Sequence, residues 1–352
     1  MRAPGEFCER FGLGIPILLA PMAGACPPSL SIAVANAGGM GGCGALLFGP
    51  DEMKSWAAEF RSGSSGPFQM NLWIPDPPAM RDAQHEAEVR RFLEQWGPPV
   101  AAEAGDIVLQ DFHAQCKALL EIEPTAVSSI MGLFPAEFVR EAKARGIAWF
   151  ATVTTVAEAK AAKAAGADVV IAQGMEAGGH RGAFDAANAE GELIGLIALV
   201  PAVVDAVNVP VIAAGGIADG RGVAAALTLG ASAAMIGTGF LRCPETRLHP
   251  AWGNALPETT PERTMVSRAF SGRPGRTIAT DYARAAAEQS APVPTPYPVQ
   301  RGLTTPMRNE AQRMSCVHRM QAWAGQSAAL ARAEPAGELT KRIWNEAQAL
   351  LR

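Results

Sequence analysis

Asp168–Gly182 reads DVVIAQGMEAGGHRG. The run DVVIAQ, apolar through its centre and closed by Gln173-Gly174, has the length and texture of a strand buried on both faces, as in a parallel sheet. The loop after it carries Glu176, Gly178, Gly179, His180 and Arg181. Its glycines let the backbone pass close to something bulky. In a barrel of alternating strands and helices, a polar loop at the C-terminal end of a strand is where chemistry sits.

The same alternation extends both ways along the chain. Upstream, strand-like runs occur at Ile15–Ala20, Met40–Leu46, Phe68–Leu72, Ala126–Met131 and Ala148–Val153; downstream they occur at Val209–Ala213 and Ala231–Ile236. Helices are expected over Ser29–Ala37, with Ser29 as N-cap, and over Asp51–Phe60, Pro135–Ala144, Val156–Ala165, Gly191–Val207 and Arg221–Leu229. Eight such units predict a closed (β/α)8 TIM barrel over residues 1–243. A doubly wound open sheet is the rival, and it would have to explain why the pattern stops at eight.

Two stretches break the rhythm. Ile74–Leu109 holds the cluster PDPP and a charged helical pattern, Arg81–Trp96, before an ordinary crossover helix at Gln110–Leu120. It reads as an insertion on the C-terminal face, a candidate lid. Residues 244–296 are rich in Pro, Thr, Arg and Gly, with one helical patch, Asp281–Glu288. They read as a small subdomain inserted after strand 8. Helical patterns at Arg308–Ala324, Gln326–Arg332 and Glu338–Leu351 predict that 297–352 packs back on the barrel.

Composition narrows the function. The 352 residues are 49% hydrophobic and 18% charged, with a net charge of −4, so a large core is available and disorder is not indicated. The absence of a basic patch argues against nucleic acid as a partner. Ile15–Ala20 is too short and wrongly flanked for a signal peptide, and no apolar run spans a membrane, so a cytoplasmic location is expected. The six cysteines form no CxxC pair and read as free thiols. The assembly expected is a monomer or a homodimer.

The strand ends carry the chemistry. AAGGIADGRG (Ala213–Gly222) and MIGTGF (Met235–Phe240) place glycines after the seventh and eighth strands, the recurrent phosphate site of these barrels. The N–H groups of Gly215, Gly216, Gly237 and Thr238 can face a phosphate there; simple turn chemistry is the bland alternative. All six lysines lie in helical patterns, so a Schiff-base nucleophile is missing, and no carboxylate–histidine cluster suits a metal. What remains suits a flavin, with Asn71 and Gln173 addressing ring edges and Met22 beneath the ring.

PILLAPMAGA, FQMNLW, QGMEAGGHRG, IAAGGIADGRG and IGTGFLRCPE, in this order, resemble the nitronate monooxygenases, formerly 2-nitropropane dioxygenases. The resemblance continues into RAFSGR and PYPVQRGLT. It implies non-covalent FMN in a TIM barrel with a small second domain. The implied FMN contacts are Met22, Asn71, Gln173, Gly178, Gly179, Gly215, Gly216, Gly237 and Thr238, and the implied active-site histidine is His180. The implied reaction oxidises an alkyl nitronate, such as propionate 3-nitronate, with O2 to a carbonyl compound and nitrite; the flavin passes one electron from nitronate to oxygen without a nicotinamide. The alternative within the superfamily is an NAD(P)H-dependent flavin reductase of enoyl-acyl-carrier protein or quinones. A phosphate-ligand binding module without catalysis is the reading from another class.

One position departs from the family pattern. Relatives often carry a second histidine in a VSxHFG-like stretch, whereas this chain has VSSIMG, with Ile130 there. The pocket wall is therefore expected to be apolar, with Ser128 or Ser129 offering a polar contact. Glu176 reads as a structural acceptor, Cys26 as an inert small side chain beside the first loop, and His85, His113, His249 and His318 as solvated. Tyr297 either reaches the substrate cavity or packs behind it.

Overall fold

In the computed structural model, which describes residues 4–352, the eight expected strands all form. They span Ile17–Leu19, Gly41–Gly44, Phe68–Trp73, Ala126–Ile130, Ala148–Val153, Val169–Gln173, Val211–Ala214 and Ala233–Ile236. Every barrel pairing is parallel, with the first strand beside the eighth. The ring closes where Leu18 bridges Met40 and the Leu19 N–H donates to the Met40 carbonyl at 2.9 Å. An open doubly wound sheet would keep two unpaired edges, whereas here the first strand is held by both the eighth and the residue before the second, so closure decides for the TIM barrel.

Strand alternation sorts side chains into two layers. Val169 and Ile171 point inward with Leu18, Met40, Phe150, Ile212 and Met235. Val170 and Ala172 point outward into the larger core shared with the helices. The base of the inner layer is plugged by helix Pro4–Phe11, whose Phe7 and Phe11 are buried there. Phe11 meets Phe150 edge-on at 5.1 Å.

The crossover helices lie within a few residues of the predicted bounds, but the first begins differently. It spans Pro28–Asn36, with Pro27 at the cap position and Pro28 in the first turn, where its fixed φ is already helical. Ser29 is thus inside the helix, and its hydroxyl donates to the Glu245 carbonyl at 3.1 Å. Helix Ala336–Leu350 fills the outer position after the eighth strand, packing on Pro28–Asn36 and Gly220–Thr228. Its buried Ala336, Leu339, Ile343 and Ala347 recur at helical spacing on one face.

Between Cys243 and this helix the chain builds a cap over the C-terminal face. Thr264–Ser267 and Gly275–Ile278 form an antiparallel hairpin that the sequence reading did not identify. Gly179–His180 adds to it as a third strand. The patch at 281–288 is a helix only over Asp281–Ala285. Ser315, at φ 52°, ends helix Thr305–Arg313 well before Ala324, and 326–332 holds only the 3-10 turn Ala328–Leu330.

The 74–109 insertion is fixed to this cap. Its helix Ala83–Leu93, capped by Asp82, buries Val89 and Leu93 against Phe270, Tyr282, Val299, Leu303 and Met307. Asp76 pairs with Arg273 at 3.0 Å. The stretch supports the cap from behind rather than covering the cavity as a lid. If the plug carries the barrel base, Phe7→Ala should lower the unfolding free energy by about 3–5 kcal/mol in urea titration. A loss under about 1 kcal/mol would show that the barrel closes without it.

Candidate active site

The C-terminal ends of the strands and the overlying cap enclose a cavity of about 600 Å³. The ten residues singled out from sequence all face it. Met22 follows the first strand, Asn71 lies on the third two residues before its end, and Gln173 ends the sixth. Gly178, Gly179 and His180 come from the loop after the sixth strand; Gly215, Gly216, Gly237 and Thr238 come from the seventh and eighth. Ile130 and Thr152 complete the floor at the fourth and fifth strands.

The sixth-strand loop is clamped from below. Buried Arg181 donates to the Gly174 carbonyl at 2.7 Å. The Gln173 amide accepts from the Gly182 N–H at 2.7 Å and donates to the His180 carbonyl at 3.1 Å. One N–H and one lone pair of Gln173 are left for the cavity. Glu176 accepts from the Leu196 N–H at 2.9 and 3.1 Å and so caps helix Leu196–Ala206. From above, Gly179–His180 pairs with Gly275–Arg276, and Arg276 donates to the Met175 carbonyl at 2.8 Å.

This clamping fixes His180. Its ring lies 4.7 Å edge-on from Trp73 and 4.7 Å from Trp323, with Nε2 at 2.7 Å from the Ser271 hydroxyl. Ser271 Oγ also lies 3.2 Å from the Arg273 carbonyl, to which it can donate, and 3.4 Å from the Arg273 N–H, from which it can accept. Burial first, and then the charges of Arg273 and Arg301, push the imidazolium down to about 3. The ring is therefore neutral near pH 7.

The seventh- and eighth-strand loops present donors. Gly215 and Gly216 take φ +113° and +69°, conformations open to glycine. The N–H groups of Gly215, Gly216 and Gly237 find no acceptor among the described residues. Thr238 Oγ1 accepts from the Gly325 N–H at 3.0 Å, which leaves its own proton free. Gly178 allows this crossing, since a Cβ there would lie 2.4 Å from Gly325 N.

The wall contains no Asp or Glu among the described residues, but it includes Arg247, Arg301 and Arg308. Asn71 Nδ2 donates to the Ser128 hydroxyl at 3.1 Å and carbonyl at 3.2 Å. Ser129 instead faces outward and accepts from Trp149 Nε1 at 3.0 Å. Neither serine reaches the cavity, so the Ile130 side is apolar. Cys26 is buried, its thiol pushed up to about 12 by that burial, and bonds to the Ala20 carbonyl. Tyr297 packs 5.5 Å from Trp73, behind the wall.

Sequence reasoning missed Trp73, Ser271, Trp323 and the arginines, and it read His249 as solvated. His249 lines the cavity and caps helix Pro250–Ala255 through Nδ1, which accepts from Ala251 N–H at 3.1 Å. Trp73 was available from alternation, since it lies two residues past Asn71 on the same face. The others come from the cap, where no period signals which residues turn inward.

Comparison with known proteins agrees with this geometry. A family profile described as nitronate monooxygenase matches residues 8–346. A nitronate monooxygenase of Paraburkholderia phytofirmans is 38% identical over 341 residues, covering 95% of this chain and 93% of the relative. The crystal structure of nitroalkane oxidase from Streptomyces ansochromogenes superposes with a TM-score of 0.88 at 34% identity, covering 99% of this chain and all of that one. FabK from Thermotoga maritima superposes at 0.77 with 29% identity, covering 100% and 97%. The barrel, the order of its strand-end motifs and these likenesses converge: the chain belongs to the nitronate monooxygenase family of oxidoreductases.

Proposed function

We propose that this protein is an FMN-dependent nitronate monooxygenase that oxidises alkyl nitronates with O2 to a carbonyl compound and nitrite. The observation that carries the reading is His180, a neutral imidazole fixed between two tryptophans at the edge of a carboxylate-free cavity. The residues present fit a flavin phosphate. Three glycine N–H groups without acceptors and the free Thr238 proton form a donor cradle at the seventh and eighth strand ends. Asn71 Oδ1, the remaining N–H of Gln173, Met22, Gly178 and Gly179 would meet the ring. Bound there, FMN would accept an electron from the nitronate and deliver it to O2.

The chain's own contribution is to place and polarise the substrate. With the proton on Nδ1, Ser271 donates to Nε2, and His180 can donate to a nitronate oxygen. With the proton on Nε2, that N–H donates to Ser271, whose hydroxyl donates onward to the Arg273 carbonyl. Nδ1 then holds a free lone pair to take a proton from the α-carbon of a neutral nitroalkane. Trp73, Trp323 and Ile130 keep the reacting carbon in apolar surroundings, where hydrogen bonds to charge gain strength. All six cysteines are free thiols, in keeping with the cytoplasmic location we infer. The second reading, an NAD(P)H-dependent reductase, is favoured by the arginines of the lining, Arg247, Arg301 and Arg308, which suit a dinucleotide phosphate.

Oxygen uptake with nitrite release from an alkyl nitronate tests the reading. His180→Gln should retain the yellow colour and lose about 10²–10⁴-fold in rate on the neutral nitroalkane; a loss below about threefold would remove His180 from the chemistry. Its electrostatics have a second consequence. The unfolded chain gains the His180 proton near pH 6.5 while the native state resists it to about 3. The stability held by neutral His180 is therefore full above 6.5 and lost as pH falls from 6.5 toward 3. Between pH 7 and 5, His180→Gln should lose about 1–2 kcal/mol less unfolding free energy than the parent in urea titration. Equal losses would contradict the neutral imidazole.

A further inference from the structure

Segment 322–327 of the cap joins parts of the site that lie far apart in sequence. Its alternate residues Trp323, Gly325 and Ser327 line the cavity. The Ala322 carbonyl fixes its start, accepting from the Thr277 hydroxyl at 2.8 Å and the Ile278 N–H at 2.9 Å. Trp323 stands 4.7 Å from the His180 ring. The Gly325 N–H donates to Thr238 Oγ1 at 3.0 Å, and the Gln326 N–H donates to the Glu176 carbonyl at 2.9 Å. We propose that Thr238 is a positioning residue that couples the cofactor phosphate to His180. Its oxygen holds Gly325 while its proton goes to the phosphate, so that phosphate binding fixes the segment and, with it, Trp323 against the imidazole. This rests on the FMN reading of the same cavity.

Three observations carry it. First, the Thr238 hydroxyl faces two ways. Its oxygen accepts from Gly325, and its proton has no acceptor among the described residues. An anion that takes this proton polarises the hydroxyl and strengthens the bond from Gly325 to the same oxygen. The crossing is tight. A Cβ on Gly178 would lie 2.4 Å from Gly325 N and 2.9 Å from Thr238 Oγ1, and one on Gly325 would lie 2.8 Å from the Glu176 carbonyl oxygen. The three chain segments therefore meet with no space for a side chain between them.

Second, the other half of the phosphate cradle bears on the segment's second attachment. A Cβ on Gly216 would stand 3.1 Å from Glu176 Cβ, and one on Gly215 would stand 3.0 Å from Ala177 N. Glu176 is the residue whose carbonyl holds Gln326. A phosphate bound by both glycine turns would thus order both anchors, Thr238 and Glu176.

Third, the upstream end of the segment rests on the partner of His180. Trp323 lies over Gly275, where a Cβ would be 3.0 Å from its ring carbons, and Gly275 pairs with His180. Between Trp323 and Gly325 the one further bond, from the Ala324 N–H to the Arg276 carbonyl, is long at 3.3 Å. Thr238 is therefore the firm hold nearest Trp323 on its downstream side.

The test is amide hydrogen exchange of 322–327, read by mass spectrometry with and without saturating FMN. The proposal expects FMN to slow exchange at Gly325 and Gln326 about tenfold or more. Thr238→Ser keeps the hydroxyl and should keep the slowing; Thr238→Val, loaded with FMN, should reduce it to below about threefold. At saturating FMN, kcat on an alkyl nitronate should fall about tenfold in Thr238→Val with KM little changed, and recover in Thr238→Ser. No slowing in the parent protein, equal slowing in Thr238→Val, or an unchanged kcat there would each overturn the assignment. If Thr238→Val takes up no FMN, riboflavin in the parent decides, since it shares the ring but lacks the phosphate. Slowing equal to that with FMN overturns the proposal, and absence of slowing supports it. If the parent takes up no FMN, the cofactor reading fails by itself, and inorganic phosphate becomes the probe. Slowing at the two amides then supports the coupling, and its absence rejects it.

Discussion

The pairing of Gly179–His180 with Gly275–Arg276 joins the barrel to everything that follows it. A loop of glycines after a barrel strand would otherwise sample many conformations. Here it becomes the edge strand of a small sheet, held from beneath by Arg181 and the Gln173 amide. The same pairing brings Ser271 to His180 and places Trp323 against its ring. Without it the histidine would have neither a fixed tautomer partner nor a dry neighbourhood.

Electrostatics then set the character of the cavity. Its lining offers backbone donors from two glycine turns and guanidinium groups from the cap, and it contains no carboxylate among the described residues. An imidazolium here would add a further positive charge beside Arg273 and Arg301, and burial already disfavours it. The histidine is therefore neutral and can donate or accept. With Ile130 apolar, His180 is the histidine that the strand-end loops supply to the cavity, and His249 comes from the cap.

The barrel was legible because its strands are buried on both faces. Runs such as DVVIAQ and Ala148–Val153 need no partner to be recognised, and the strand ends follow from them. All ten singled-out residues, from Met22 to Thr238, consequently face one cavity. The cap was not legible, for a physical reason. Its strands are four residues long, and its inward residues are chosen by long-range contact: Ser271 lies 91 residues from His180. His249 and Ser29 misled because a capping role depends on where the turn falls, not on residue type alone. The 74–109 stretch looked like a lid because its apolar face, Val89 and Leu93, finds its partners two hundred residues later.

The central claim is that this site takes electrons from a nitronate rather than from a nicotinamide. The direct measurement is anaerobic: load the purified protein with FMN, mix it with an alkyl nitronate, and separately with NADPH and NADH, and follow the flavin absorbance. The account predicts loss of the oxidised flavin spectrum with the nitronate and no change with either nicotinamide. Bleaching by NADPH or NADH, with indifference to the nitronate, would contradict it and make the protein a reductase.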